Sequence, residues 1–330
     1  MSKVRRVLVT GGTGYVGGRL IRQFRDNGWL VRVGSRQSEE QVIDLFGPLV
    51  EYSKFDAEDE TLAIEPCVAD CSAVVHLAGM NAQCCGIDPE LATQVNVAGT
   101  KRLLSASQEK GVQRFIRTST IHVFGSPLVG KLTEATKPRP THPYGSTNAA
   151  AEALTLTTNS HSMATAVVRL SNAFGKPFEP GDGHSDRPHG PDSCWKLVVN
   201  DLCKQAIENN AVVLNSSGEQ FRDFAPLTTI VRGLQHLVEM PLAKLSGTFH
   251  LGSRSTQTVR SIATTVIDRC ESLFGFRPSL TRGDLPETSP TFEFTIDRLL
   301  QTGFESNVSA IYEIDECLRF LTASRNQATN

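Results

Sequence analysis

Val7-Leu8-Val9-Thr10-Gly11-Gly12-Thr13-Gly14-Tyr15-Val16-Gly17-Gly18 is the stretch whose reading decides the fold. The apolar run 7–9 reads as a buried strand. After the glycines, Val16, Leu20, Ile21 and Phe24 recur at helical spacing. Gly12, Gly14 and Gly17 fit G-x-G-x-x-G, while Gly11, Gly14 and Gly17 fit G-x-x-G-x-x-G. Either spacing lets backbone approach a pyrophosphate closely at the positive end of a helix. The glycines directly follow a strand and open a helix, with Tyr15 and Val16 in its first turn. That context predicts a dinucleotide site rather than an ordinary strand-turn-helix.

The rest of the composition narrows the class. With 330 residues, 39% hydrophobic and 21% charged, the chain reads as a soluble globular protein of one large or two coupled domains. A net charge of −2 gives no electrostatic footprint for nucleic acid or an anionic membrane, so neither is expected as a partner. No apolar run reads as a signal peptide or membrane span. The eight cysteines form no C-x-x-C pair, which fits reduced thiols in a cytoplasm better than disulfides or a zinc site.

Further along, a second strand over 30–33 leads into Gly34-Ser35-Arg36. An acidic residue about 20 positions past the glycines would hold the ribose hydroxyls of NAD. A hydroxyl and a guanidinium there suit a 2′-phosphate instead, so NADP is expected, with NAD as the alternative. Asp56, after a third strand over 50–55, is placed beside the adenine. A fourth strand ends in Leu77-Ala78-Gly79 under the cofactor, and His76 in its body reads as a core histidine. Asp88 and Pro89 open a helix reaching about residue 110. Asn96 and Gly99 inside it are locally unfavourable, which implies packing or cofactor contact. A fifth strand covers 114–119. This strand–helix alternation predicts an α/β fold with a doubly wound parallel sheet.

Seven motifs then occur in order. They are the Gly11/Gly14/Gly17 turn, His76-Leu77-Ala78-Gly79, Asn96-x-x-Gly99-Thr100 and Ser119-Thr120-Ile121-His122-Val123-Phe124-Gly125. Pro143-Tyr144-Gly145 follows, before a helix carrying Glu152; then come Arg169-Leu170-Ser171-Asn172-Ala173-Phe174-Gly175 and Arg222-Asp223-Phe224. Together they resemble the NAD(P)-dependent nucleotide-sugar epimerase/dehydratase branch of the extended short-chain dehydrogenases/reductases. The resemblance implies a Rossmann part built from 1–175 with 226–252. It implies a smaller C-terminal α/β substrate-binding part built from 176–225 with 253–330, and a homodimer through the helices starting near Asp88 and Tyr144.

The same resemblance implies roles for single residues. Thr120 would hydrogen-bond the reacting sugar oxygen, and Tyr144 would move the proton during hydride transfer. Asn172 and Arg222 would hold the nucleotide diphosphate, and Cys84 would line the cleft. His122 falls where related enzymes carry an acid/base residue, so it either serves C3/C5 proton transfer or packs. The family's lysine, four residues after the tyrosine, is replaced by Asn148. Asn148 keeps a hydrogen bond for the nicotinamide ribose but supplies no charge. Unless His122, His142 or another group supplies one, Tyr144 then stays protonated, and reducing a keto-sugar should be easier than oxidising an alcohol. Residues 176–193 read as a lid-like loop, in which His184 and His189 lack metal-ligand spacing. The expected activity is a 4-keto reductase or epimerase acting on a nucleotide sugar. The alternative is a non-catalytic dinucleotide-binding regulator or scaffold, which would need none of Thr120, Tyr144, Asn172 and Arg222.

Overall fold

The computed structural model describes residues 5–179, 192–284, 290–305 and 308–328. The chain runs β1 (Arg6–Thr10), α1 (Tyr15–Asp26), β2 (Leu30–Ser35), α2 (Glu39–Phe46), β3 (Val50–Lys54), α3 (Glu65–Val68) and β4 (Ala73–His76). Next are α4 (Ala82–Ile87), α5 (Pro89–Thr93), a π-helical turn (Gln94–Ala98), α6 (Gly99–Glu109) and β5 (Arg114–Thr120). A 3-10 turn (Ile121–Phe124) leads to β6 (Gly130–Leu132), α7 (Pro143–Thr157), β7 (Ala164–Leu170) and β8 (Asn172–Phe174). Then follow α8 (Val198–Asn209), β9 (Ala211–Leu214), β10 (Phe221–Pro226), α9 (Leu227–Glu239) and β11 (Gly247–Leu251). The last elements are β12 (Thr256–Thr258), α10 (Val259–Phe274), β13 (Ser279–Arg282), β14 (Phe292–Phe294), α11 (Asp297–Leu300) and α12 (Ala310–Ala328).

Seven of these strands form one parallel sheet in the order β11-β7-β5-β4-β1-β2-β3. The expected doubly wound sheet is therefore present, with its order reversing between β1 and β4. In open sheets of this kind ligands bind outside the carboxyl ends of the strands at that point. Helices cover both faces, which is why β1 can be apolar on both sides: Val7, Leu8 and Val9 have no exposure. Val7 and Val9 pack with Leu20, Ile21 and Phe24 of α1 and Leu234 of α9. Leu8 packs on the other face with Phe115, Leu103 and Val74. Each such side chain contributes about 1.5–3 kcal/mol by leaving water. A second core, from α8, α10 and α12, encloses Phe174 and Phe224 at the sheet β12-β10-β8.

Several segments depart from expectation. The second strand runs on to Ser35, because Gly34 and Ser35 still pair with Ser53 and Lys54 of β3. Cys84, expected to line the cleft, lies with Cys85 on α4, which Asn81 caps by accepting the Cys84 N–H at 2.9 Å. The helix opened by Asp88 is interrupted by the π turn that contains Asn96. His184 and His189 lie outside the described residues.

Candidate active site

The glycine turn lies flat against the end of β4. Gly11 has φ +67°, and a Cβ there would sit 2.8 Å from the Ala78 nitrogen. A Cβ on Gly17 would sit 2.3 Å from the Gly11 oxygen, so only glycines let α1 approach this closely. No side chain caps the N-terminus of α1, which leaves its first-turn N–H groups free to face an anion. Beneath it, Leu77 and Ala78 are half-buried and Gly79 is exposed. These residues fit a dinucleotide pyrophosphate.

The other expected cofactor residues divide. The Tyr15 hydroxyl donates to the Gly175 oxygen at 2.7 Å and accepts from Asn200 Nδ2 at 3.2 Å. That side chain ties the glycine turn to the strand region beyond β8, leaving only its backbone for a cofactor. Val16 is half-buried against the core. Ser35 is buried and its hydroxyl accepts the Gln37 N–H at 3.1 Å, whereas Arg36 is exposed. Sequence reasoning had treated these two as a pair. Asp56 turns its carboxylate onto the Glu58 N–H at 3.0 Å. Asn96 accepts the Met80 N–H at 2.8 Å and donates to Thr147 Oγ1 at 3.0 Å, fixing the turn after Gly79 against α7. A π turn at such a residue is a common device of functional sites.

Thr120 ends β5 and its hydroxyl accepts the His122 N–H at 3.2 Å. Tyr144 stands in the first turn of α7, its ring stacked with that of His142 at a 6.2 Å centroid separation. The His122 ring lies 6.0 Å from Tyr144 and 5.5 Å from His142. A Cβ on Gly145 would come within 2.6 Å of the His122 oxygen, so this glycine lets α7 seat against the 3-10 turn. Burial raises the Tyr144 pKa above its ordinary 10, while hydrogen bonding from Thr120 and the nearby Arg117 charge pull it back. His122 is exposed, yet desolvation and then the neighbouring His142 and Arg222 lower its pKa, which disfavours its charged form. His142 caps α7 through Nδ1, which accepts the Gly145 N–H at 3.4 Å.

Asn148 does not project freely toward a ribose. It is buried, its Nδ2 donates to the Tyr144 carbonyl at 2.9 Å, and its Oδ1 accepts from Arg117 Nη1 at 3.1 Å. One turn later Glu152 meets Arg169 of β7, with Nη2 2.8 Å from Oε2, and also accepts the Ser119 hydroxyl at 2.5 Å. Sequence reasoning missed Arg117 altogether and gave Arg169 no partner. The signal for both was a charged residue inside a strand at the centre of a sheet.

In the substrate half, Cys84 is exposed on α4, while Cys85 turns inward and its sulfur accepts from Asn96 Nδ2 at 3.6 Å. Asn172 donates to the Asp223 carbonyl at 3.0 Å. Arg222 does not pair with Asp223; its Nη1 donates to the Phe221 carbonyl at 2.8 Å. Asp223 is instead buried against Ser253, accepting from its backbone N–H at 2.8 Å and from its hydroxyl at 3.0 Å. Among the described residues no group of three or more metal-ligating side chains is found, and no helix is long and apolar enough to cross a membrane.

A family model described as the NAD dependent epimerase/dehydratase family matches residues 7–252. The chain is similar to the low-salt glycan biosynthesis protein Agl12 of Haloferax volcanii, 32% identical over 186 residues, covering 53% of this chain and 58% of that protein. It is also similar to UDP-glucuronic acid decarboxylase 2 of Arabidopsis thaliana, 28% identical over 317 residues, covering 92% of this chain and 65% of that protein. The chain thus spans less than two thirds of the length of these relatives. MoeE5 in complex with UDP-glucuronic acid and NAD superimposes with a TM-score of 0.77 at 22% identity, over 97% of this chain and 99% of that one. The Thermotoga maritima UDP-glucose 4-epimerase with UDP-glucose gives 0.78 at 20% identity, over 98% and 100%. At these identities the likeness establishes a shared fold.

Proposed function

The chain belongs to the NAD-dependent epimerase/dehydratase family, and on that premise we propose that it reduces a keto carbon, at C4, of a nucleotide-activated sugar. The observation that carries this reading is the Tyr144 phenol with Asn148, a neutral side chain, one turn on in α7; burial raises the Tyr144 pKa above its ordinary 10. A protonated phenol donates to a carbonyl oxygen and is a poor base near neutrality. Bound in the crevice, the nicotinamide dinucleotide supplies the hydride that the keto carbon takes up. The uncapped start of α1 and the Gly11–Gly17 turn hold its pyrophosphate, and exposed Arg36 beside Ser35 favours NADP over NAD. Thr120 orients the sugar oxygen and Tyr144 delivers its proton. Arg222 and Asn172 grip the diphosphate, and His122 faces the sugar from the cleft. Residues 1–175 with 226–252 serve the cofactor, residues 176–225 with 253–330 the substrate. Two copies pair through α5, α6 and α7.

A second reading, full epimerisation on a retained cofactor, is favoured by one observation: Thr120 and Arg117 both stabilise the phenolate that proton removal from an alcohol requires. The test is a panel of UDP-, GDP- and dTDP-linked keto-sugars and sugars. Substrate-dependent consumption of NADPH supports reduction, and isomerisation without added dinucleotide supports epimerisation. Tight dinucleotide binding with neither activity would leave only a scaffold.

A further inference from the structure

Three polar residues cross the middle of the sheet at one level. Thr10 of β1 pairs in register with His76 of β4, and His76 with Arg117 of β5. Thr100 of α6 joins them, and its hydrogen bonds fix every proton. The Thr100 hydroxyl donates to the Asn96 carbonyl at 2.7 Å, so it accepts from His76 Nε2 at 3.0 Å and from Arg117 Nε at 3.4 Å. His76 therefore carries its proton on Nε2, and its Nδ1 accepts from the Thr10 hydroxyl at 2.7 Å. A second proton on that imidazole would break the Thr10 bond and face the Arg117 guanidinium.

Arg117 is 2% exposed, and its partners are all neutral: the Thr118 carbonyl, Thr100 and Asn148. Among the described residues it has no carboxylate within ion-pair distance. Glu152, the carboxylate whose charge it feels most, is already bound by Arg169 and Ser119. A buried cation without a counter-ion is costly, and through Asn148 this one reaches the helical turn that carries Tyr144, a group that can become an anion and whose pKa the Arg117 charge lowers. The charged and titratable groups facing Tyr144 are Arg117 from β5, Cys85 from α4, His122 from the 3-10 turn and His142 at the start of α7. Of these, the thiol can only add negative charge and the cleft disfavours a charged His122.

We propose that Arg117 is the positioning cation of this site: it reaches from β5 to Asn148 and serves as counter-ion to Tyr144 when that tyrosine has given up its proton. The charge that the sequence leaves out of α7 is thus supplied from the sheet. This rests on Tyr144 being the proton carrier. Proton delivery to the sugar oxygen leaves a phenolate, Arg117 stabilises it, and solvent later returns the proton.

The test is a tyrosinate absorbance titration of the full chain, taken as the difference from Tyr144→Phe, together with the pH profile of kcat. Arg117→Gln, which keeps polar contacts but no charge, should move the Tyr144 midpoint up by about one pH unit or more and lower kcat at least ~10-fold, with KM for the nucleotide sugar little changed. Arg117→Lys should stay close to the parent. Adding Asn148→Lys to Arg117→Gln should bring the midpoint and the pH profile back. A folded Arg117→Gln with an unmoved midpoint, or a double variant that does not recover, overturns the proposal. A Gln variant that folds only with Lys at 148 is read by that recovery. The absorbance titration needs no substrate, so it stands even if no nucleotide sugar is turned over.

Discussion

Arg117 and Arg169 sit on neighbouring strands, both buried and both turned toward α7, and there the likeness ends. Arg169 meets Glu152, with a guanidinium nitrogen 2.8 Å from the carboxylate and the Phe124 ring 4.9 Å away. Arg117 meets Asn148, one helical turn earlier, and finds only neutral oxygens. Register places Ser119 of β5 opposite Arg169, and the Ser119 hydroxyl donates to the same Glu152 carboxylate, so the pair also anchors the strand that ends in Thr120. The same residue type at the same depth thus does two things. With its counter-ion in place it fastens a helix to a sheet; without one it leaves a positive field beside Tyr144.

The largest effect that tests this contrast is expected at the fastened pair. Glu152→Ala leaves Arg169 buried and unpaired and should lower stability by about 3–5 kcal/mol in urea unfolding. Glu152→Met with Arg169→Met should be far milder. On the other side of the contrast, Tyr144→Phe should leave unfolding unchanged and cut turnover of the nucleotide sugar ~100-fold or more. Acid probes both arginines through their histidine neighbours. Burial and the charge of Arg117 hold His76 down to about 3, and burial and the charge of Arg169 do the same to His250. Folded-state values below the unfolded 6.5 mean stability that is complete above that pH and lost as pH falls toward 3. Unfolding measured at pH 7 and pH 5.5 should differ by roughly 1 kcal/mol per histidine. A pH-independent stability over that interval would show that these imidazoles accept protons within the fold. The smallest effect belongs to the exposed Arg36. Arg36→Ala should reduce any preference for NADPH over NADH by about fivefold, measured by the ratio of kcat/KM, with no loss of stability.

Much of this molecule could be read from local pattern. The strand–glycine turn–helix order at the start of the chain and the apolar strands of the parallel sheet depend on residues within one or two turns of each other, and the structure has them; Thr120 and Tyr144 came from the resemblance, and lie at the end of β5 and in the first turn of α7. The Arg117–Asn148 and Glu152–Arg169 contacts span 31 and 17 residues and depend on parallel register, which no local spacing encodes. In Arg114-Phe115-Ile116-Arg117, two apolar residues stand between the arginines, so no period-two alternation says which face Arg117 takes. Only the helix laid over that face shows it to be interior. The end of the second strand was missed for a related reason: expected at residue 33, it runs on to Ser35, which is held by β3. His76 was read as a core histidine, but not as one whose tautomer is set by hydroxyls from two other elements.

The π turn at Gln94–Ala98 gives the helix an unusual vulnerability. Asn96, inside the turn, grips the loop after Gly79, and Thr100, just beyond it, bonds His76 and Arg117. Each residue turns a helix by about 100°, so removing one from the turn would restore a regular spiral while swinging Thr100 off the sheet. Here the chain is constrained in its count as much as in its composition. Within 94–98 only Asn96 bonds the loop after Gly79 and α7 through its side chain, whereas a shortening by a single residue anywhere in the turn would part the contacts of Asn96 from those of Thr100.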